Sequence, residues 1–337
     1  MDIYILVGIV IFLALGFDFI NGFHDTANAI ATSVSTRALS PRLAIVVASV
    51  MNFVGAMLFT GIAKTIGGKI ADPSKLGTPD HPIGVYVVIA TLLGAIIWNL
   101  LTWWVGIPSS SSHALIGALT GAVVSAAGLS AINSSGFIDI IKALILSPLI
   151  AFTGGFIVMW ILKQIFAKSS PHQVNKMFRS GQVLTAAFQS FTHGTNDAQK
   201  AMGIITFALV TAGLQDNTDH IPLWVKVSAA TAMALGTSIG GWKIIKTMGT
   251  KIFKIEPING FAADITSATV ILTATLTHLP VSTTHVITSS ILGVGSAKRF
   301  SAVKWGLAGR IVISWVITIP ITMILAALIY QVIALFE

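Results

Sequence analysis

The stretch "NGFHDTANA", residues 21–29, places Asn21, His24, Asp25 and Asn28 inside an apolar run near the start of the chain. A charged side chain in hydrocarbon costs about 2.5–3.5 kcal/mol on insertion scales, so such residues face a bundle interior and bind something. At helical spacing Asp18, Asn21, Asp25 and Asn28 share one face. Carboxylates and amides together form an oxygen-rich set suited to a hard cation such as Na⁺. A second stretch, "FTHGTNDAQKAMG" at 191–203, repeats the pattern at an offset of 172 residues, with Asp197 opposite Asp25. Its equivalent face carries Ser190, His193, Asp197 and Lys200, with Asn196 beside it. The competing account is a structural network in which Asp25 and Asp197 pair with Lys200 or a histidine.

Two further motifs stand at the same offset: "PSSSSH" from Pro108 and "PVSTTH" from Pro280. Each has the form of a helix start, with proline near the first turn and a hydroxyl to cap free N–H groups. Capping needs one hydroxyl. Ser110, Ser111 and Ser112 in one copy and Ser282, Thr283 and Thr284 in the other exceed that need. A helix N-terminus offers N–H donors and partial positive charge, so these blocks suit an anion. His113 and His285 lie one step inside the helices, as ligands or as structural hydrogen-bond partners. Asn52 and Asp264 also fall within apolar spans, and Asp264 is a candidate ligand or coupling group.

The elements that position these residues are membrane helices. Of 337 residues, 54% are hydrophobic and only 9% charged, against roughly 25% charged in soluble proteins. Ten apolar segments are predicted, near 3–35, 42–63, 83–106, 109–130, 138–163, 183–210, 222–242, 258–278, 281–297 and 305–333. The first and sixth are long and polar in the middle, which predicts breaks in both. Residues 3–22 have the form of a retained span, since no basic n-region or cleavage site precedes or follows. The absence of cysteine excludes disulfides and thiolate metal sites. The net charge of +8 fits basic cytoplasmic loops better than nucleic-acid binding.

Simple alternation puts the basic loops containing Arg37, Lys168, Lys251 and Arg299 on one side and Asp216 and Asp219 on the other. The basic side is then cytoplasmic and both termini lie outside, in a plasma (inner) membrane. The loop at 64–82 is a weak exception, with Lys64, Lys69 and Lys75 partly offset by Asp72 and Asp80. Five segments separate each motif from its partner, an odd number, so the second copy crosses the membrane in the opposite sense. The predicted fold is an all-α polytopic membrane protein of two inverted-topology repeats, with broken or re-entrant helices around a midplane site. Residues 1–166 form one repeat, 167–182 a basic cytoplasmic loop, and 183–337 the inverted second repeat.

The blocks "NGFHDTANAIAT", "HGTNDAQKAMGI", "GIPSSSSHALIGA" and "LPVSTTHVI" resemble the signature blocks of the PiT family of inorganic phosphate transporters. The resemblance covers nearly the whole chain, with a short central loop where many members carry a long hydrophilic insert. It implies symport of phosphate with Na⁺ or H⁺. It implies further that Asp25, Asn28, Asn196 and Asp197 serve the cation, and Ser110 to Ser112 and Ser282 to Thr284 the phosphate. Asn52 stands where many members are acidic, and His24 where some have Asn, which leaves the coupling ion open. Some members of the wider family move sulfate. The partners so implied are phosphate, Na⁺ and the bilayer, with a homo-oligomer compatible. An intramembrane hydrolase is disfavoured by two copies of every polar motif and no nucleophile elbow. A channel is disfavoured by four carboxylates along an anion path.

Overall fold

The computed structural model describes residues 2–72, 75–77 and 82–336; Asp80 of the exceptional outer loop lies outside them. The first half holds α1 (Ile3–Ser35), α2 (Pro41–Leu58), α3 (Gly61–Lys69), α4 (Ile83–Val105), α5 (Ser111–Ala127) and α6 (Ser134–Ile165). The second holds α7 (Pro171–Asp197), α8 (Gln199–Thr211), α9 (Leu223–Ile239), α10 (Trp242–Lys246), α11 (Pro257–Leu276), α12 (Thr283–Lys298) and α13 (Trp305–Ala334), with a π turn at Thr247–Lys251 after α10. Among the described residues there is no strand, only an isolated bridge between Ala71 and Ile132. Helices α1, α2, α4, α6 and α13 are long and apolar enough to cross a membrane. Their outer faces expose Phe12, Val50, Leu149, Val316 and Leu328, the apolar belt a bilayer requires. Helices α5 and α12, with 17 and 16 residues, span about 24–26 Å at 1.5 Å per residue. That is short of the roughly 30 Å hydrocarbon thickness.

The 172-residue repeat is visible in the elements. Helices α11, α12 and α13 begin 171–174 residues after α4, α5 and α6. Pro148 and Pro320 stand inside α6 and α13 at equivalent positions. The chain leaves α4 through Gly106 (φ 76°) and α11 through His278 (φ 60°), each two residues before the motif proline. Both are left-handed turns, a conformation natural to glycine and tolerated by few other residues. The packing partners exchange as well: α2 packs on α7 and α9 on α1, while α6 packs on α12 and α13 on α5.

Close approach at these seams depends on glycine. A Cβ on Gly22 would lie 2.3 Å from Met233 O, and one on Gly236 would lie 2.0 Å from Phe19 O. The second seam repeats this, with Gly194 against Asn52 O and Gly55 against Phe191 O, both at 2.2 Å. Backbones meet directly, as in small-residue membrane helix pairs, and this draws the polar faces of α1 and α7 into one interior.

Of the two predicted breaks one is absent and one is slight, and the predicted loop needs correction. The first segment is not broken: α1 is one helix of 33 residues, in which Asn21, His24, Asp25 and Asn28 make side-chain contacts while the backbone stays helical. The sixth segment is interrupted only at Ala198, which keeps helical dihedrals (φ −64°, ψ −24°) between Asp197 and Gln199. The region expected as a loop at 167–182 is mostly helix, since Ser170 caps α7 through Gln173 N and Pro171 occupies its first turn.

Candidate phosphate and cation site

Four elements converge on one buried centre: the middle of α1, the C-terminal end of α7, and the N-termini of α5 and α12. Every residue of α1 from Asn21 to Ser33 is buried, as is every residue of α7 from Thr192 to Asp197. Gln199 holds the α7–α8 junction. Its amide donates to Thr195 O, and its Oε1 accepts from Ile62 N (2.8 Å) and Ala63 N (3.1 Å) at the start of α3.

The hydroxyl blocks reach both carboxylates. Thr284 Oγ1 donates to Asp25 Oδ1 (3.4 Å), Ser111 Oγ to Asp25 Oδ2 (3.4 Å), and Thr283 Oγ1 to Asp197 Oδ2 (3.1 Å). Asn28 Nδ2 donates to Thr284 Oγ1 at 2.9 Å, and Asn21 Nδ2 to Asp197 Oδ2 at 3.4 Å. Each carboxylate also has a basic neighbour. His24 Nδ1 lies 2.7 Å from Asp25 Oδ1, and Lys200 Nζ lies 2.8 Å from Asp197 Oδ1, with His193 Nε2 at 3.3 Å from Asp197 Oδ2. Lys200 also donates to Ser111 Oγ at 2.9 Å. Ligand atoms of Asp25, His193 and Asp197 all lie within 4.8 Å of one another. The two carboxylates, one from each repeat, are thus brought to a single centre.

Not every hydroxyl of the motifs is free for a ligand. Ser110 Oγ and Ser282 Oγ accept from His113 N (3.0 Å) and His285 N (3.2 Å), so both are N-caps. Ser112 Oγ donates to Val281 O at 2.8 Å and ties the two helix starts together. Ser111, Thr283 and Thr284 remain on the carboxylate side. Apart from His113 N and His285 N, which the caps satisfy, the first N–H groups of α5 and α12 have no intrahelical acceptor, so both helix starts offer donors.

The remaining candidates lie around this centre. His113 and His285 sit behind the helix starts, with ring centroids 4.4 Å apart, and His285 stacks on Trp315 at 3.9 Å. They border a largely apolar cavity of about 540 Å³ with Leu149, Trp315 and Val316, away from the carboxylates. Asn196 Nδ2 contacts Thr275 Oγ1 at 3.5 Å on α11, and its Oδ1 has no hydrogen-bond partner. Asn52 supports from outside, its Oδ1 3.1 Å from His193 Nδ1 and its Nδ2 donating to Thr237 Oγ1 at 3.0 Å. Asp264 belongs to another cluster, accepting from Thr32 Oγ1 (2.7 Å) and Thr185 Oγ1 (3.3 Å). Asp18 is fully buried one turn before Asn21, and neither of its oxygens has a hydrogen-bond partner. His193 is the site residue absent from the candidate ligands, although its helical spacing to Asp197 signalled it. Thr32, Thr185 and Thr237 carried no sequence signal, because intramembrane threonines commonly bond their own backbone.

The phosphate transporter family model matches residues 21–326, which contain all four motifs. The chain belongs to the phosphate transporter family. It is 62% identical to a probable low-affinity inorganic phosphate transporter of Bacillus subtilis, covering 98% of each chain. Identity is 46% to the protein of the same description from Rhizobium meliloti, over 97% of this chain and 96% of that one. A solved structure described as "The sodium-dependent phosphate transporter" matches with a TM-score of 0.86 and 25% identity, covering 98% of this chain and 100% of the other. As a phosphate transporter this chain is a membrane protein that moves its substrate and does not transform it. The hydrolase alternative is set aside on that ground.

Proposed function

We propose that this phosphate transporter carries inorganic phosphate across the plasma membrane by symport with Na⁺, through alternating access around the site between α1, α5, α7 and α12. The observation that carries the reading is the junction of two hydroxyl-bearing helix starts with two carboxylates: Thr284 and Ser111 on Asp25, Thr283 on Asp197. Donors for an anion and oxygens for a cation share one centre. Opposite unit charges about 4 Å apart attract by about 1 kcal/mol in water and about 4 kcal/mol at an effective dielectric near 20. A phosphate entering this interior is therefore held chiefly by the cations beside it. Each ion raises the affinity of the other by the same factor.

The Na⁺ assignment is supported by the oxygens available beside Asp25, including Asn28 Oδ1, which has no hydrogen-bond partner. It is supported also by the likeness to a solved transporter described as sodium-dependent. A second reading, proton coupling, is favoured by the His24–Asp25 pair at 2.7 Å, which sets two proton-binding side chains in direct contact in the buried centre. The exchange of packing partners between the halves supports two inverted repeats rocking about the site, and the distribution of basic loops supports both termini outside. Labelled phosphate uptake into proteoliposomes, with Na⁺ and proton gradients imposed separately, tests the coupling. An inward Na⁺ gradient at constant pH drives accumulation. Equal uptake driven by protons with Na⁺ absent would assign the coupling to H⁺.

A further inference from the structure

The two halves of the site differ at several positions, and at one of them an amide is exchanged for a fixed charge. The 172-residue offset sets Asn28 opposite Lys200, Asp25 opposite Asp197, and Thr283 opposite Ser111. In the first half, Asn28 Nδ2 donates to Thr284 Oγ1 (2.9 Å) and Thr283 Oγ1 (3.4 Å), and makes no ion pair with Asp25. In the second, Lys200 Nζ donates to Ser111 Oγ (2.9 Å) and also lies 2.8 Å from Asp197 Oδ1. The hydroxyl partner recurs through the repeat, while a neutral amide is replaced by an ammonium. Lys200 is among the largest fully buried side chains of the described residues. Burying a lysine is costly unless its charge is paired and its hydrogen bonds are made. Here both conditions are met by site residues and not by remote ones.

We infer that Lys200 is a tethered cation occupying the second of two repeat-related cation positions. The site then takes an exchangeable cation only in the half formed by Asp25, Asn28 and Thr284. This role for Lys200 rests on the reading that these carboxylates hold coupling cations. An ammonium can donate three hydrogen bonds and accept none. Two of them go to Asp197 and Ser111, and the third is available to a phosphate oxygen. Unlike a free ion, the charge does not leave with the substrate. The chain therefore moves one fewer cation per phosphate than a site with an amide in both halves, and keeps a fixed positive charge when phosphate departs. Asn28 leaves its Oδ1 for a ligand, whereas Lys200 offers no acceptor.

The test is the Na⁺ dependence of labelled phosphate uptake and of ²²Na⁺ binding, in wild type and Lys200→Asn reconstituted in proteoliposomes, with thermal unfolding as a folding control. Wild type shows a single Na⁺ step, with a Hill coefficient of about 1. Lys200→Asn gains a second, raising the coefficient toward about 2 and the Na⁺ needed for half-maximal uptake. Lys200→Met, which supplies neither charge nor ligand, loses phosphate binding without gaining a Na⁺ step. A folded Lys200→Asn with the wild-type Na⁺ curve overturns the inference. So does a phosphate defect that no Na⁺ concentration relieves, which would make Lys200 a phosphate ligand alone. If Lys200→Asn does not fold, Asn28→Lys decides: Na⁺ stimulation is lost if a tethered ammonium replaces the ion, and its retention overturns the inference. Wild-type uptake indifferent to Na⁺ would instead sink the Na⁺ symport reading; a Na⁺ step appearing in Lys200→Asn on that background would still support the tethered cation.

Discussion

Ser110 and Ser111 are neighbours of the same type with different work, and the structure separates them. Ser110 and Ser282 cap helices, so Ser110→Ala and Ser282→Ala are expected to cost about 0.5–2 kcal/mol of stability and leave the affinity of folded protein unchanged. Ser111, Thr283 and Thr284 face the carboxylates. Loss of a hydrogen bond to a charged group costs about 1.5–3 kcal/mol, which is roughly a 10- to 150-fold weaker affinity. Phosphate binding to purified Ser111→Ala, Thr283→Val and Thr284→Val at saturating Na⁺, beside their melting temperatures, checks the division. Wild-type affinity in all three would move the anion elsewhere. Asp25 accepts from hydroxyls of both repeats, so Asp25→Asn is expected to weaken Na⁺ dependence strongly, with a phosphate defect that shrinks as Na⁺ rises. A uniform defect at every Na⁺ concentration would point to a structural role.

At the scale of elements, the seams between α1 and α9 and between α2 and α7 govern whether the site exists. A Cβ at Gly22 or Gly236 would overlap a backbone carbonyl at 2.3 or 2.0 Å, and a carbonyl in a packed helix cannot rotate aside. Gly22→Ala and Gly236→Ala are each expected to destabilise by about 1–3 kcal/mol or more, as overpacking does, and to lower transport with it. Gly8, on the same α1, has nothing within 4 Å of an added Cβ. Gly8→Ala gains helix propensity of about 0.8–1.0 kcal/mol and is expected to be neutral or stabilising. Thermal unfolding in detergent distinguishes them, and equal tolerance at all three positions would contradict the seam geometry.

For the whole molecule, the repeat makes a claim about sidedness. Because the chain has no cysteine, single introduced cysteines report cleanly. Lys168, Asp216 and Lys251 are exposed. With inverted repeats, Lys168→Cys and Lys251→Cys are expected to react with an impermeant thiol reagent from the cytoplasm, and Asp216→Cys from outside. Reaction of Asp216→Cys and Lys251→Cys from the same side would remove the inverted arrangement. Under the alternating-access mechanism proposed above, closure on either side breaks and remakes the same contacts, Thr284 and Ser111 on Asp25 and Thr283 on Asp197. Helices α5 and α12, short of the membrane thickness, are placed to do so.

The sequence by itself determined the membrane class, the two polar faces, the hydroxyl-rich helix starts and the repeat that relates them. Apolar blocks and helical periodicity are local quantities, and an offset of 172 residues between rare motifs is legible without coordinates. What only the tertiary structure decided is which of those polar groups meet. Periodicity places Asp25 and Lys200 on helix faces but cannot say that Ser111 touches both, since they lie 86 and 89 residues from it. It set Asn196 beside Asp197 and left Asp264 as a coupling or accessory group, but could not say that Asn196 Nδ2 meets Thr275 or that Asp264 meets Thr32 and Thr185. It also predicted a break in α1, which is instead one continuous helix of 33 residues. The physical reason is the same in each case. In a membrane interior a polar side chain is pinned by whatever partner lies across the seam, and that partner is chosen by which glycines let two backbones touch.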